Sequence, residues 1–346
     1  MTSPACLLTC LILAFTLLQG CSRGPSSARN SSPATSWPTA VQRGMDRQVQ
    51  LSTNAELAST GDFEADALRR RVLAAPDDLD ARARLAARYE STGQPELAVE
   101  HYRILLARHP EASAPRLDLI RILHSLALQD PALTNQALTA TEDGLRLHAS
   151  RQLLSWKGIL LDSLDRHADA EAAHREALAR AQRASPSTLA SLHNNLGNNL
   201  LLQKRYTDAA AALETALSLD RRLETARNNL ATALALSGDP TRALAHWKSL
   251  AGPAAAHSNL ATLYIETGRH KEARRELNIA LGYEPNHPAA LRNMAILASL
   301  DGRPAVLEPN SVRRASAWAK IAQTFKSTLG FTESREKTSP TQAAQQ

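Results

Sequence analysis

The chain is short of the residues and motifs that a catalytic or metal-binding domain needs. Aromatic residues make up only 4% of its 346 residues. Ala and Leu are abundant instead, a composition suited to many thin helical layers rather than one large core. Cysteine is confined to Cys6, Cys10 and Cys21. The eleven His residues are scattered. His167 and His174 are seven residues apart and can share a helix face, but no carboxylate or Cys in the sequence pattern completes a metal set. "HPEASA" from His109 is not HExxH. No GxxxxGK[ST] loop occurs, and no GxGxxG follows a strand. "SREK" from Ser334 lies in a polar tail, a poor setting for an SxxK-type nucleophile. No enzyme, cofactor, metal or small-molecule substrate is expected. The net charge of +6 is spread along the chain with no dense basic block. It reads as solvated helix faces rather than a nucleic-acid surface.

Long apolar runs are also missing. Leu7 to Leu18, "LLTCLILAFTLL", spans twelve mostly apolar residues. As a helix it would reach about 18 Å, against a hydrocarbon core of roughly 30 Å. A secretory signal over residues 1–20 fits better than a transmembrane helix. The run ends in "LLQGC" at Cys21. This resembles the bacterial lipobox, with Leu18 at minus three and Gly20 at minus one, although Gln19 departs from the usual small residue and the segment before the run has no Lys or Arg. The resemblance implies lipidation of Cys21, cleavage after Gly20 and a palmitate-type acyl anchor. The mature chain would then keep one Cys, so no internal disulfide forms. Two or more acyl chains would hold it stably on the bilayer. Ser22, not Asp, follows Cys21, which implies the outer membrane with the folded part facing the periplasm. A secreted protein with an incidental Cys and an uncleaved short anchor are the other two readings.

Residues 21–40 are rich in Ser, Pro, Gly and Asn and form a flexible tether. The stretch from Ser22 to Thr39 reaches about 60 Å at roughly 3.3 Å per residue. Beyond it, one pattern returns: "HNNLGNNLL" from His193, "RNNLATALA" from Arg227, "HSNLATLYI" from His257 and "RNMAILASL" from Arg292. Asn195 and Asn229 are 34 residues apart, as are Asn259 and Asn293. Asn229 and Asn259 are only 30 apart, and "AGPAA" at 251–255 accounts for the loss as a helix cut short by Gly252 and Pro253.

Around these helices the apolar periodicity marks paired segments. In the unit from Leu79, Leu85, Ala86 and Tyr89 form one seam, and Ala98, Tyr102 and Leu105 the other. Gly93 and Pro95 make its turn and Pro110 closes it. The unit from Ser113 is degenerate, with Leu119, Ile120 and Leu123 on one helix and Ala132 on the other. The unit from Arg151 uses Gly158, Leu161, Ala170, His174 and Ala177, and is followed by a link about five residues longer than the others at 183–188. Two clear units carry Leu196, Gly197, Leu200, Ala209, Leu213 and Ala216, then Leu230, Ala231, Leu234, Ala243, Trp247 and Leu250. The unit from Ala254 is the best matched, with Leu260, Ala261, Tyr264, Gly268, Ala273, Leu277, Ala280 and Pro285. The last, from Pro288, has Met294, Ala295, Ala298 and Gly302. Repeats occupy 41–303, about six or seven hairpins. A half-matched first hairpin turns at Gly61–Asp62. A capping helix region covers 304–331, with Ala317, Trp318, Ile321 and Phe325 on one face of 311–329. Residues 332–346 read as a disordered tail.

These residues resemble the tetratricopeptide repeat family. Small residues at the eighth, twentieth and twenty-seventh places of each unit allow close helix approach, and Pro near the end stops the second helix. The resemblance implies an all-α, right-handed superhelical solenoid. With the anchor, the whole resembles bacterial outer-membrane tetratricopeptide lipoproteins. Some of these serve pilus assembly, including the tight-adherence (Flp) pilus, or secretion complexes. Others are structural adaptors for cell-wall or outer-membrane protein assembly machinery. The implied partner is an envelope protein or extended peptide, besides the lipid bilayer.

In this family the first helix of each hairpin lines the binding groove. Asn195, Asn229, Asn259 and Asn293 share the sixth place of their units, and Asn194 and Asn228 precede two of them. An amide donates and accepts at once, so such a row can hold a peptide backbone. Asn198, Arg227 and Arg292 lie at or near the same face, and the two Arg suit a carboxylate-bearing partner. Trp156 holds the sixth place of its own unit as a candidate anchor. The competing role for the Asn residues is to fix the stacking of adjacent repeats, and the two roles are compatible.

Overall fold

A computed structural model describes residues 61–304. The signal, the tether, any helix between 41 and 60, the capping segment and the tail lie outside the described residues. Thirteen helices and no strand occur among the described residues. They fall into two compact units, which divide between Arg221 and Arg222.

The first unit holds α1 (Phe63–Ala74), α2 (Leu79–Ser91), α3 (Pro95–Arg108), α4 (Ser113–Leu126), α5 (Ala132–Leu147), α6 (Arg151–Ser163), α7 (His167–Ala179), α8 (Pro186–Leu202) and α9 (Tyr206–Leu219). Each helix packs against the next in sequence, and α4 against α6 and α6 against α8. That second set of contacts is what makes the hairpins a stack. The helix starts follow the sequence signals. Asp62 and Asp78 accept the backbone N–H of Ala65 and Ala81 at 3.1 and 2.9 Å, and Ser185 accepts that of Thr188 at 3.2 Å. Each satisfies one of the donors that a helix leaves unpaired at its start. Pro95 and Pro186 open their helices, where no amide hydrogen is needed.

The turn inside a hairpin needs one residue with positive φ. Gly93 supplies it in the first unit at φ 78°. Asp165 and Lys204 take the same place at 58° and 62° in their hairpins, at a cost of about 1–2 kcal/mol each. The expected seam residues Leu85, Ala86, Tyr89, Ala98, Tyr102, Leu105, Leu119, Ile120, Leu123, Gly158, Leu161, Ala170, His174 and Ala177 are all buried. Ala132 is not. It is the exposed first residue of α5, whose packed face is Thr134, Ala137, Leu138, Thr141 and Gly144. Turn residues Asp130 and Pro131 delay the helix, so its seam begins later than the periodicity implied. The long link before α8 becomes extra helix: α8 has 17 residues where α6 has 13.

The second unit holds α10 (Glu224–Leu236), α11 (Pro240–Glu266), α12 (His270–Tyr283) and α13 (Pro288–Asp301). α11 is two helical arms. Gly252, at φ 82° and ψ 175°, leaves helical geometry between 240–251 and 253–266. Pro253 opens the second arm. The break resets the repeat, which explains the spacing of 30 residues. α11 packs on α10, α12 and α13, and α12 packs on α13. In α13, Ala290, Met294 and Leu297 are buried while Ala295 is exposed. Ala295 was expected in a seam, but no second helix follows α13 among the described residues to cover it.

Close approach is tight at three helical glycines, Gly144, Gly158 and Gly197. A Cβ on Gly158 would overlap the buried His174 ring, and one on Gly197 would sit 2.5 Å from Leu213 Cγ. Gly197→Ala must therefore push α8 and α9 apart. Its gain in helix propensity is smaller than that strain, so a net loss of about 1–3 kcal/mol is expected. A urea-unfolding midpoint unchanged or raised in Gly197→Ala contradicts this packing.

Candidate functional site

The first helices of the second unit carry most of the expected groove residues. Asn293, on α13, donates from Nδ2 to Thr262 Oγ1 at 2.8 Å and to Ser258 Oγ at 3.4 Å, both on α11. Thr262 Oγ1 in turn donates to the Ser258 carbonyl at 3.0 Å. Asn293 thus takes the stacking role. Asn228 points inward: its Oδ1 accepts the indole N–H of the buried Trp247 at 2.9 Å. Arg227 and Asn229 are half-buried and already partnered. Asn259 is half-buried, one place after Ser258, and no intramolecular hydrogen bond holds its amide. Arg292 is exposed.

The first unit repeats the stacking contact. Asn195 Nδ2, on α8, donates to Ser155 Oγ on α6 at 3.1 Å. Asn194 is half-buried and partnered, while Asn198 is half-buried without an intramolecular bond to its amide. Trp156 does not stand free as an anchor. It packs against the core, edge-on to the His124 ring at 5.5 Å. Burial holds the His124 imidazole below its ordinary range.

A polar cluster that the repeat pattern did not indicate joins α6, α7 and α8. His167 Nδ1 and His174 Nε2 donate to the two oxygens of Asp162 at 3.0 and 3.3 Å. Asn199 Nδ2 donates to Asp162 Oδ1 at 2.7 Å and to the His167 carbonyl at 2.9 Å. Gln203 Nε2 bridges Asn199 Oδ1 and Glu171, both at 2.8 Å. Arg205 closes on Glu171 at 2.9 and 3.0 Å. Burial pushes the Glu171 carboxyl up, but the bonds from Gln203 and Arg205 outweigh it and hold the group low. The two His residues expected to share a face therefore do, and meet a carboxylate from the preceding helix. Among the described residues no group of three or more His, Cys, Asp or Glu is placed to hold a metal ion. The signal for the cluster was present in the polar residues at 162, 199 and 203, but several of their partners are 12 to 37 residues away.

Two carboxylates in the second unit differ sharply. Glu276 accepts from His257 Nδ1 at 2.7 Å and from Arg275 at 3.0 Å. Burial raises it, yet these donors hold it below the usual range. Glu266, the last residue of α11, has both oxygens buried and no hydrogen-bond partner. Burial pushes its carboxyl up to about 7.

Two segments, 190–223 and 254–287, match family profiles described as tetratricopeptide repeat. They fall on α8–α9 and on the second arm of α11 with α12. Among solved structures, a tetratricopeptide repeat protein from Parabacteroides merdae aligns with a TM-score of 0.51 at 13% identity, covering 75% of this chain and 99% of the other. PilW, described as a widely conserved type IV pilus biogenesis factor, aligns with a TM-score of 0.51 at 18% identity, covering 63% of this chain and 99% of its own. A search of curated protein sequences returns no match. The fold is an all-α tetratricopeptide-repeat solenoid.

The Glu266 carboxyl has a folded pKa above its ordinary 4.5. Its contribution to stability is complete below about 4.5 and is lost as the pH rises through about 7. Glu266→Gln removes the ionisation. Its urea midpoint should exceed that of the wild type at pH 8 and match it more nearly at pH 5. Parallel pH profiles for the two proteins contradict the burial of an unpaired carboxylate.

Proposed function

We propose that this chain is a membrane-anchored tetratricopeptide scaffold that grips a protein or extended peptide of the cell envelope. Folds of this kind are generally interaction scaffolds rather than enzymes, because stacked hairpins offer a long surface and no enclosed pocket. The observation that carries the binding reading is the division of labour among like residues. Asn195 and Asn293 spend their amides on the preceding helix. Asn198 and Asn259 do not, although each lies beside a residue of the same face. A half-exposed amide with unspent donors and acceptor is suited to a peptide backbone.

The anchor rests on the sequence. Cys21 ends a lipobox-like run and is followed by a tether. Among the described residues no helix is long and apolar enough to cross a membrane. In this reading the scaffold reaches the bilayer through acylated Cys21, on the periplasmic side of the outer membrane. Assembly of a pilus or secretion complex is the role we assign to it. PilW, of like fold, is described as a pilus biogenesis factor, and a tethered scaffold suits the task of holding an envelope component in place.

Two measurements test the proposal. Mass spectrometry of the mature amino terminus should find diacylglyceryl-modified Cys21, and Cys21→Ser should move the protein from membrane to soluble fraction. An unmodified terminus at another residue rejects the anchor. A photo-crosslinker placed at Asn229 should capture an envelope partner in cells, and Asn259→Ala should reduce capture by about tenfold, the loss of one or two charge-neutral hydrogen bonds. Undiminished capture in a variant with native helix content rejects the groove.

A further inference from the structure

α8 alone among the described helices carries no charged side chain. Its 17 residues, Pro186–Leu202, include no Asp, Glu, Lys or Arg, although these make up 21% of the chain. It is nevertheless not enclosed. Ser191 is exposed, and Asn194, Asn198 and Leu202 are half-buried, at spacings that put all four on one face. Beside this stripe, Asn195 bonds to Ser155 of α6 at 3.1 Å, so α6 supplies the adjoining face. There Gln152, Ser155 and Ile159 keep the same spacing, are exposed or half-buried, and are uncharged. Asp162, Glu171 and Arg205 are held within the polar cluster, and Lys157 pairs with Glu142 at 3.6 Å. The earlier helices are built differently: Arg121 of α4 reaches Glu90 of α2 at 2.8 Å and Asp118 at 3.2 Å.

An open, polar and uncharged face suits an extended backbone that brings no charged side chain. A charge laid on it would lose water and gain no partner. One stretch of this chain has that chemistry. Residues 30–42, "NSSPATSWPTAVQ", lie outside the described residues and contain no charged side chain. Among residues 22–60 and 305–346 no uncharged run is longer. Pro33 and Pro38 suit an extended strand rather than a helix interior. Trp37 and Val41 match the half-buried aliphatic residues of the face, Ile159 and Leu202.

We infer that residues 30–42 lie along the α6–α8 face as a strap, with the unspent amide of Asn198 bonding their backbone; this rests on the reading of the groove amides as a backbone clamp. The length of chain allows it. Residues 43–60 reach about 59 Å at roughly 3.3 Å per residue, and three interhelix steps of about 10 Å lead from α2 to α8. Affinity decides between the chain's own segment and a free partner. Hydrogen bonds between neutral groups contribute little net free energy, so this face binds any single strand weakly. A segment of the same chain is present at an effective concentration in the millimolar range, on the order of what such a site needs. A scarce envelope protein is not. A partner that uses this face has to displace the strap.

The test places a photo-crosslinker at Ser191 in the full chain and maps the linked peptide by mass spectrometry. Ser191 should link to residues 30–42 of the same molecule. The yield should not change with protein concentration, nor with salt between about 0.05 and 0.5 M, because no charge pair is involved. Ala34→Glu with Thr39→Glu puts charge into the strap and should lower the yield at least about tenfold. Asn198→Ala should lower it about fivefold, with helix content by circular dichroism unchanged in both variants. A yield unchanged by either variant overturns the inference. So does a link to any other stretch of the chain, a link formed only between molecules, or no link. A foreign envelope protein captured at Ser191 in place of residues 30–42 gives the face to a partner, with the same consequence. Partner capture at Asn229 without the internal link at Ser191 rejects the strap and leaves the scaffold's binding role standing.

Discussion

Two helices in this protein can pair only where one of them offers almost no side chain. Gly158 against His174 and Gly197 against Leu213 are points at which hairpins close, and Ala86, Ala98, Ala261 and Ala273 are buried at the seams of others. All of them are buried to a few per cent or less. Interior packing is dense enough that a single methyl changes the spacing. Everything else on the helices is arranged around that distance. Leu and Tyr fill the flanks, Pro and Gly turn the chain, and the polar side chains are brought within reach of a neighbouring hairpin.

Once the hairpins are close, their polar residues have two fates. Some become stitches between successive first helices, as Asn195 does to Ser155 and Asn293 does to Thr262. Others gather into a satisfied cluster, as Asp162, His167, His174 and Asn199 do. A buried carboxylate is tolerable there because it accepts three bonds. Glu266 shows the opposite case. It has no donor near it, so burial alone acts on its carboxyl. Glu276 is more deeply buried but is met by His257 and Arg275, and its carboxyl is held low, so partners and not depth alone decide the direction.

The repeat also separates structure from recognition. A residue at a given place in one unit can be compared with its counterpart 34 residues on, where the environment differs. Thr262 is covered by α13, whereas Ile296 is open. Asn293 is engaged, whereas Asn259 is not. Surface available for a partner arises where a place in the repeat no longer needs its side chain for stacking.

Much of the fold was legible in the sequence because it is local. Helix period, the positive-φ turns at Gly93 and Gly268, and the break at Gly252–Pro253 depend on neighbours a few residues apart. The small residues at the seams could be placed from spacing alone. Ala132 and Ala295 could not, since the first depends on where α5 begins and the second on whether a further helix covers it. The candidate site was legible only as a row of Asn residues on one helix face. Which amides were used depended on hydroxyls 31 to 40 residues earlier, and only their distance in space could assign them. Trp156 read as an anchor by its place in the repeat, but His124 across the stack turned it into packing. Helix positions, the pairing of neighbours and most seam residues follow from local pattern, which the chain carries in its own spacing. Tertiary structure decided which polar groups remain unspent, because a side-chain hydrogen bond is set by the last ångström between helices and no periodicity carries that information.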